Sequence, residues 1–220
     1  MNENMSKAQL VSHSVSPDGK MTILELVAYC ARVSNPANQQ NSETSEKLVR
    51  YLIKNQHWSP LEMVSICLEI ETTRDIARQM LRHRSFSFQE YSQRYALADL
   101  GFESREARLQ DNKNRQNSLD TDNESLKIEW EERQKKLQNE AKEQYRWAIE
   151  NGIAKEQARA VLPEGMTLSR MYMNGTLRSW VHYIQLRTEK GTQKEHRDVA
   201  FSCAKAIEPI FPMIMEYVSF

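Results

Sequence analysis

Residues 63–71 read MVSICLEIE, and this stretch decides the class of fold. Apolar and polar side chains alternate along it, the apolar ones being Val64, Ile66, Leu68 and Ile70. Successive side chains of a strand point to opposite faces, so the alternation predicts a strand that is buried on one face only. Strands of this kind are typical of antiparallel sheets with one covered face.

Apolar residues at helical spacing lie on both sides of this strand. The predicted helices are residues 21–33, a segment marked by Leu48, Leu52 and Ile53 that ends near His57, a segment capped by Thr73 that runs to about residue 82, and residues 124–150, 154–161, 176–187 and 192–208. Residues 192–195 read TQKE, the form of a capping box, which would open the last helix. These patterns favour an α+β fold, a mainly antiparallel sheet flanked by helices, with a helical extension.

The segments between the helices are interpreted from their polar and turn residues. The predicted strands and turns are a strand over residues 5–13, a turn at 17–19, an extended segment over 166–173 and a turn at Asn174 and Gly175. Residues 103–123 are highly polar and are predicted to be a mobile loop. The whole chain, residues 1–220, is interpreted as one domain that includes 103–150 as a polar loop and charged helix.

Composition limits the classes of protein to consider. The 220 residues carry 30 basic and 30 acidic side chains, and this zero net charge argues against bulk nucleic-acid binding. The cysteines, at positions 30, 67 and 203, are too far apart to suggest a disulfide framework or a zinc site, and the scattered histidines predict no metal site. The polar start, MNENMSKAQL, lacks a signal core, and no run of about 18 apolar residues occurs. We therefore expect a cytoplasmic protein without a membrane segment.

The most selective feature of the sequence is the arginine content of residues 74–94. Five arginines and no lysine lie there, although the chain has 17 arginines and 13 lysines. The guanidinium group is planar and permanently charged, and it binds phosphate or carboxylate bidentately. Asp75 and Glu90 are the only acidic residues in the stretch, so several arginines lack a local partner. No glycine pattern of a P-loop or dinucleotide fold occurs, so arginines are the expected ligands for a small phosphorylated molecule.

Each of these residues also has a simpler interpretation. A single arginine is more often part of a surface salt bridge. His83 alone is more often an ordinary residue at a helix end, and Ser92 a turn or cap residue. Phe86, Phe88 and Tyr91 fit either a core or a stacking surface for bases. Two rival functions therefore stay open: a nucleotide- or RNA-binding module without catalysis, and a helical interaction protein built on the charged helix.

Short motifs in a fixed order extend the interpretation. Residues 82–84 read RHR and Ser92 follows, which resembles the RHR-x7-S motif of the flavin-dependent thymidylate synthases. Further resemblances to segments of that family are HWSPLE at 57–62, ARAVLP at 158–163, the run from LRS to LR at 177–187 and ARVS at 31–34. The likeness covers most of the chain except residues 103–140.

The resemblance implies an activity, a set of cofactors and an assembly. The enzyme would convert dUMP to dTMP, with methylenetetrahydrofolate as carbon donor, FAD as cofactor and NADPH as reductant, and it would need no cysteine nucleophile. The fold would be a sheet flanked by helices, in a homotetramer with active sites shared between subunits. Arg94 and Arg159, far apart in sequence, are then expected to come from different chains at each site. Neither nucleic acid nor a membrane is an expected partner.

The resemblance also implies roles for particular residues. Those implied to contact FAD are Ser59, Arg82, His83, Arg84, Thr176, Leu177, Arg178 and His182, and an alignment shifted by two residues would place Asn174 where Thr176 stands. Those implied to hold dUMP are Gln79, Arg82, Glu90, Ser92, Arg94, Arg159 and Arg187. Arg187 is the implied catalytic residue, which would lie against the uracil ring and favour its ionised form. Ser92 has no neighbouring base in the sequence, so a binding role is preferred over a nucleophilic one.

Overall fold

The computed structural model describes residues 7–219, which form an α+β fold as predicted. Its strands are β1 (Lys7–His13), β2 (Ser65–Thr73), β3 (Phe86–Glu90), β4 (Arg108–Gln110), β5 (Ser118–Asp120) and β6 (Leu168–Thr176). Its helices are α1 (Ile23–Ala31), α2 (Ser45–Lys54), α3 (Arg74–Met80), α4 (Glu124–Glu150), α5 (Lys155–Ala158), α6 (Leu177–Arg187) and α7 (Lys194–Ile207). The predicted strand over residues 5–13 is confirmed from residue 7, and its first two residues lie outside the described range.

Four strands form an antiparallel sheet in the order β1–β2–β6–β3. Strand β2 lies inside the sheet, between β1 and β6. The apolar side chains of its alternating pattern, Ile66, Leu68 and Ile70, are 0% exposed, whereas Cys67 and Glu69 on the opposite face are partly exposed. The prediction of a strand buried on one face is therefore confirmed.

Helix α6 anchors the core on the covered face of the sheet. Trp180 and Tyr183 of this helix are among the largest fully buried side chains, and they share one core cluster with residues of α1, α2 and α7. Trp180 donates a hydrogen bond from Nε1 to the carbonyl of Ile66 at 3.0 Å. Because this bond ties α6 to the middle of the sheet, side chains at both ends of the helix, from Thr176 to Arg187, have a fixed support.

Asn174 and Gly175 do not form the predicted turn. Both lie inside β6, where Asn174 pairs with Cys67, and Gly175 pairs with Ile66 on one side and Phe86 on the other. The glycine is required by lack of space, because a Cβ atom at Gly175 would lie 2.4 Å from Cδ1 of Phe86. The Asn-Gly pair is typical of turns, but strand pairing on both sides overrides that local preference here.

Gly175→Ala is expected to lower the free energy of unfolding by roughly 1–3 kcal/mol, the usual cost of overpacking a core. Phe86 cannot move aside freely, since its ring packs against Trp180 with centroids 4.8 Å apart. Urea unfolding at a fixed protein concentration measures the change. Gly191→Ala is the matched control because a Cβ there meets nothing within 4 Å. Equal stability of the two variants would contradict the steric explanation.

The predicted loop over residues 103–123 contains a small hairpin instead. Strands β4 and β5 pair antiparallel, with Leu109 opposite Leu119. Asp111 accepts a hydrogen bond from the backbone N–H of Asn114 at 3.1 Å, which stabilises the turn between the two strands. Turn geometry of this kind is not visible in a count of polar residues.

The predicted capping box at residues 192–195 is wrong, and a capping box is present at another helix. Helix α7 begins at Lys194, and the hydroxyl of Thr192 donates to a carbonyl of α6 instead. Thr22 and Glu25 cap α1 reciprocally, with the Thr22 N–H 2.7 Å from the Glu25 carboxylate. Both sites read T-x-x-E, so the motif alone does not choose between them.

Helix α4 has the predicted bounds, but only its C-terminal half buries the apolar residues whose helical spacing predicted it. Tyr145 is 8% exposed and Ala148 is 5% exposed, whereas Trp130 and Leu137 are 41% and 49% exposed. The apolar residues of the N-terminal half therefore lie on the surface of the described chain. Although α4 has 27 residues, neither it nor any other helix between residues 7 and 219 is long and apolar enough to span a membrane.

Candidate active site

The RHR segment, residues 82–84, lies along helix α6. Arg187, the last residue of that helix, donates from Nε to Nε2 of His83 at 2.9 Å. Ser179, near the start of the helix, donates to the carbonyl of Ser85 at 3.2 Å. These two bonds hold the segment against α6 and bring the predicted catalytic arginine into direct contact with a predicted flavin residue.

His83 is held as a neutral imidazole. Its Nε2 accepts the hydrogen bond from Arg187, so its proton lies on Nδ1. Burial, followed by the charge of Arg187, lowers the pKa of His83 to about 4. The ring also packs edge-on against Tyr183, with centroids 5.0 Å apart. At neutral pH the Arg187 guanidinium is therefore the only charged member of this contact.

Arg82 and Arg84 carry positive charge without local compensation. Helix α3 ends at Met80 rather than at the predicted residue 82, so both arginines follow it in an exposed turn. Between residues 7 and 219 neither guanidinium has an ion pair or a side-chain hydrogen bond. Two unpaired guanidinium groups at this spacing suit an anion such as a diphosphate.

Thr176 rather than Asn174 opens helix α6. Thr176 is the N-cap residue, and its hydroxyl accepts a hydrogen bond from the N–H of Ser179 at 3.3 Å. Asn174 lies in the strand and accepts a hydrogen bond from the hydroxyl of Ser65 at 2.9 Å. Of the two alternatives, Thr176 is the one that lies at the helix end, next to the fully buried Leu177.

A 3₁₀ turn, Ser59–Met63, packs against the N-terminal half of α6. Arg178 forms an ion pair with Glu62 of this turn, but its buried Nε atom has no hydrogen-bond partner within the described chain. His182 packs edge-on against Trp58, with ring centroids 4.3 Å apart. Burial, followed by the charge of Arg178, lowers the pKa of His182. Two of the predicted flavin residues of α6, Arg178 and His182, therefore contact the segment around the 3₁₀ turn, and Arg178 has an unsatisfied buried donor there.

A second group of predicted residues lies at the other end of β3. Glu90 accepts a hydrogen bond from the hydroxyl of Ser169 at 2.9 Å and lies 3.5 Å from Arg74. Arg94 is exposed and lies 3.4 Å from the carboxylate of Glu156 in helix α5. Glu90 is thus held rigidly, whereas the exposed ion pair of Arg94 is free to exchange for another anion.

Arg94 lies next to the helical turn that leads to Arg159 in the same chain, which favours a site that takes both arginines from one subunit over the expected one that takes them from different chains. Arg159 follows Glu156 by three residues, about one helical turn, and it has no ion pair between residues 7 and 219. Ser92 is exposed in the turn that leads to Arg94, and its carbonyl accepts the N–H of Ala96 at 2.9 Å. These three of the residues implied to hold dUMP therefore form one group.

The two groups of predicted dUMP residues are separate within the chain. No hydrogen bond or ion pair between residues 7 and 219 joins Arg94 or Arg159 to Arg187 or His83. His83 precedes β3 and Arg94 follows it, so the two groups lie toward opposite ends of this strand.

The arginines of α3 itself are compensated, which the local count of acidic residues did not predict. Glu164, from a distant segment, forms ion pairs with both Arg74 and Arg78. These two arginines therefore have a structural role, and the unpaired charge of the stretch is concentrated at Arg82 and Arg84.

The aromatic residues after the RHR segment do not form an exposed stacking surface. Phe86 is buried against Trp180, and Phe88 packs against the same core. Tyr91 donates its hydroxyl to the carbonyl of Leu97 at 2.5 Å. The rival interpretation as an RNA-binding module therefore loses its stacking surface.

A chain of hydrogen bonds, which sequence patterns did not reveal, connects the partly exposed Gln79 to the core. The hydroxyl of Tyr183 lies 3.1 Å from Nε2 of His196, and Nδ1 of His196 lies 3.2 Å from Oε1 of Gln79. Nε2 of Gln79 donates to Oε1 of Gln193 at 2.8 Å, and Nε2 of Gln193 donates to Glu195 at 2.9 Å. No local motif connects Gln79 with His196, since 117 positions separate them.

The carboxylate of Glu195 is the charged end of this chain. Arg108 forms an ion pair with it, and Arg105 lies 4.0 Å away. Burial alone would raise the pKa of Glu195, but hydrogen bonds, including one from Gln193, and the two arginines lower it overall. Both arginines belong to the polar segment around β4, which therefore helps to fix the site.

The described residues offer no evident metal site or reactive thiol. No group of three or more His, Cys, Asp and Glu side chains between residues 7 and 219 is arranged to hold a metal ion. Cys30, Cys67 and Cys203 are free thiols, and burial raises the pKa of both Cys67 and Cys203. A thiol with a raised pKa is a poor nucleophile at neutral pH.

Comparison with known proteins decides the family. The family of thymidylate synthase complementing proteins matches residues 10–213. A probable flavin-dependent thymidylate synthase of Paramecium bursaria Chlorella virus 1 is 50% identical over 197 residues, which cover 90% of this chain and 91% of the relative. The chain belongs to the flavin-dependent thymidylate synthase family. A second relative with that name, from Synechocystis, is 46% identical over 213 residues, or 96% of this chain and 94% of its own length.

A solved structure with this flavin-dependent thymidylate synthase fold supports the same assignment. The UMP/dUMP methylase PolB from Streptomyces cacaoi, solved with bound 5-Br dUMP, superposes with a TM-score of 0.80 at 27% identity. The match covers 96% of this chain and 93% of that one. The predicted fold and family are therefore confirmed.

Acid is expected to destabilise this flavin-dependent thymidylate synthase family member through His196. Burial, followed by the charges of Arg187 and His83, lowers the pKa of His196 to about 3. The imidazole of an unfolded chain takes up a proton near pH 6.5, whereas the folded one stays neutral, so the unfolded state binds more protons in this range. The free energy of unfolding should therefore fall by ~1.4 kcal/mol for each pH unit below about 6.5 because of this group.

Urea unfolding at a fixed protomer concentration, in buffers from about pH 7.5 to 5, measures this slope. The variant His196→Asn has no titrating group at this position and should show a shallower decline. The same slope in both proteins would show that His196 is not held neutral by the fold.

Proposed function

We propose that this chain makes dTMP from dUMP by reductive methylation, with methylenetetrahydrofolate as carbon donor, FAD as cofactor and NADPH as reductant. The observation that carries the proposal is the hydrogen bond from Arg187 to His83, which joins the end of α6 to the RHR segment. This contact unites the motif of the family with the guanidinium proposed to act on the uracil ring.

The residues of the α6 surface fit a flavin. Arg178 has a buried donor without a partner in the described chain, which a polar group of a bound molecule would satisfy. Arg82 and Arg84 supply unpaired positive charge for the diphosphate. The further proposed contacts are Ser59, His83, Thr176 and His182. When bound, the flavin supplies the electron pair that reduces the transferred one-carbon group to a methyl group.

The second group of residues fits the nucleotide phosphate. Arg94 is exposed with an exchangeable ion pair, Arg159 has no ion pair in the described chain, and Ser92 is exposed beside them. Phosphate is a stronger partner for guanidinium than a solvated carboxylate, because it accepts bidentate, charge-assisted hydrogen bonds. Glu90 and Gln79 would complete the nucleotide contacts, and each is held by hydrogen bonds within the chain.

Arg187 is proposed to activate the uracil ring electrostatically. Its Nε is engaged by His83, which orients the guanidinium and leaves its terminal N–H groups for an anionic ring. A fixed positive charge beside the ring stabilises its ionised form and so increases electron density at the carbon that accepts the one-carbon unit. Because His83 is neutral, it does not add a second charge that would compete for the ring.

The active enzyme is proposed to be a cytoplasmic homotetramer with sites shared between subunits. The placement of the Arg94 group and of the His83–Arg187 contact toward opposite ends of β3 supports sharing, since the five residues of that strand separate them within one chain. Exposed apolar side chains on α4, including Ile128 at 57% and Trp130 at 41%, fit a subunit contact. Three free cysteines fit a reducing compartment.

The visible spectrum of the purified protein tests the proposal against its rivals. Protein incubated with FAD and passed through a desalting column should keep the flavin, and dUMP should then perturb the flavin absorption bands. Protein that stays colourless and does not respond to dUMP would support a binding or interaction module instead.

A variant without cysteines is expected to keep thymidylate synthesis. The changes are Cys30→Ser, Cys67→Ser and Cys203→Ala, with alanine chosen at Cys203 because that side chain is fully buried. Activity within about threefold of the wild type is expected, because no thiol takes part in the proposed chemistry. The measurement is dTMP formation by folded, flavin-loaded protein. Abolished methylation in such protein would reveal a cysteine nucleophile.

A further inference from the structure

The carboxylate of Glu195 sets the direction of the chain of hydrogen bonds that leads from it to Tyr183. Glu195 is a carboxylate and can only accept, so Gln193 donates to it from Nε2 and presents its own Oε1. Oε1 of Gln193 accepts the N–H of Gln79, which turns the oxygen of Gln79 toward His196. His196 therefore donates from Nδ1, and its Nε2 accepts the phenol proton of Tyr183.

We propose that Tyr183 and His196 are positioning residues that orient the amide of Gln79 in the dUMP site. The inference rests on the proposed function, in which Gln79 contacts the nucleotide. Tyr183 and His196 touch no ligand themselves; they determine which end of the Gln79 amide donates and which accepts. One amide N–H and one oxygen lone pair of Gln79 are left for the nucleotide, in a fixed orientation.

Glu195 prevents the chain from reversing. If His196 moved its proton to Nε2, its bare Nδ1 would face the oxygen of Gln79. Rotation of the Gln79 amide would relieve this repulsion but would bring the amide oxygens of Gln79 and Gln193 against each other. Rotation of the Gln193 amide would then place its oxygen against the carboxylate of Glu195. Hydrogen bonds, including one from Gln193, and the charges of Arg105 and Arg108 keep Glu195 ionised, so no proton is present there to relieve the repulsion.

The burial of Tyr183 and His196 makes the orientation of the Gln79 amide energetically costly to disrupt. Tyr183 is 1% exposed and His196 is 0% exposed, so a lost partner would leave a buried polar group unsatisfied. Burial, followed by the charges of Arg187 and His83, also lowers the pKa of His196 to about 3, which keeps the ring neutral at working pH. Apolar side chains of the same volume would fill this part of the core, so packing alone does not explain two polar groups here.

The tautomer of His196 tests the chain of bonds without reference to activity. In the flavin-loaded protein with ¹⁵N-labelled histidine, His196 is identified by the signals that disappear in the His196→Asn variant. The expected result is a proton on Nδ1 and no titration between about pH 5 and 8. A proton on Nε2, or a fully protonated ring at neutral pH, would overturn the proposed orientation.

Steady-state kinetics test the effect on the nucleotide. Tyr183→Phe and His196→Leu are each expected to raise KM for dUMP roughly threefold to tenfold, with a smaller change in kcat. His196→Asn keeps an N–H near the position of Nδ1 and should recover most of the lost affinity. Tyr145→Phe is the matched control, since it removes another buried phenol hydroxyl, which accepts the N–H of Ala98 at 3.0 Å. This control should leave KM for dUMP unchanged.

The outcomes separate this inference from the proposed function. Unchanged KM in folded, flavin-loaded Tyr183→Phe and His196→Leu proteins would overturn the positioning role while leaving the activity intact. Wild-type protein that neither binds nor methylates dUMP would reject the proposed function, and the role of Gln79 with it. If the substituted proteins do not fold, the tautomer in the wild-type protein decides.

Discussion

Arg187→Lys is expected to lower kcat for dTMP formation by about 100-fold or more, the usual cost of removing a preorganised electrostatic contact. Lysine keeps the positive charge but lacks the Nε donor that binds His83 and the planar fork beside the ring. The charge would therefore lose its fixed position. The fold should survive, because Arg187 lies at the end of α6 and is only partly buried.

The measurements for Arg187→Lys are kcat, flavin content and the dissociation constant for dUMP. Arg133→Lys is the control, because Arg133 lies on the exposed face of α4 in an ion pair with Glu129 of the same helix. It should change none of these quantities. Near-normal turnover by Arg187→Lys with intact dUMP binding would refute an electrostatic role that depends on the guanidinium geometry.

Subunit exchange between two inactive variants is expected to restore activity. Arg187→Ala removes the ring contact and Arg159→Ala removes a phosphate contact, and the two residues belong to separate groups within one chain. If each site takes one group from each of two subunits, random mixing in equal amounts gives about one site in four with both wild-type arginines. Each variant alone should be nearly silent, since a lost charge contact of this kind costs roughly 2–5 kcal/mol.

The matched negative control for subunit exchange mixes Arg94→Ala with Arg159→Ala. These arginines lie together beside Glu156 in one chain, so every site would keep one defect and activity should stay low. Native mass spectrometry shows whether hybrid assemblies form. The assignment of the two groups to different subunits would be contradicted if the mixture of Arg187→Ala with Arg159→Ala forms hybrids but stays inactive. It would also be contradicted if both mixtures recover the same activity.

Local patterns of apolar and polar residues were sufficient to predict the strands and helices that are buried on one face only. The alternation at Ile66, Leu68 and Ile70 predicted β2 because that strand has one covered and one polar face. Apolar residues at helical spacing predicted residues 124–150 as a helix, and these are the bounds of α4. In both cases the information lies within a few residues of the element itself.

Predictions failed where a distant segment decides the local structure. Gly175 looks like a turn residue, but two neighbouring strands and the ring of Phe86 hold it in β6. Arg74 and Arg78 looked unpaired until the chain brought Glu164 to them. Such partners come from tertiary contacts that no spacing rule in a single sequence contains.

The candidate site was predicted only in part for the same reason. The family motif pointed to Arg82, His83 and Arg187, and the structure brings His83 and Arg187 into contact. The bonds that orient Gln79 come from His196 and Gln193, which lie more than 100 positions away from it in the sequence. Residues that contact a ligand are easier to recognise from sequence motifs than the residues that orient them.

Formation of dTMP tests the central claim most directly. Flavin-loaded protein is incubated with dUMP, methylenetetrahydrofolate and NADPH, and nucleotides are identified by mass spectrometry, with parallel reactions that omit the flavin or the folate. We predict dTMP in the complete reaction and none without flavin or without the folate. Flavin-loaded protein that binds dUMP but forms no dTMP, or forms it equally well after removal of the flavin, would contradict the assignment of this chain as a flavin-dependent thymidylate synthase.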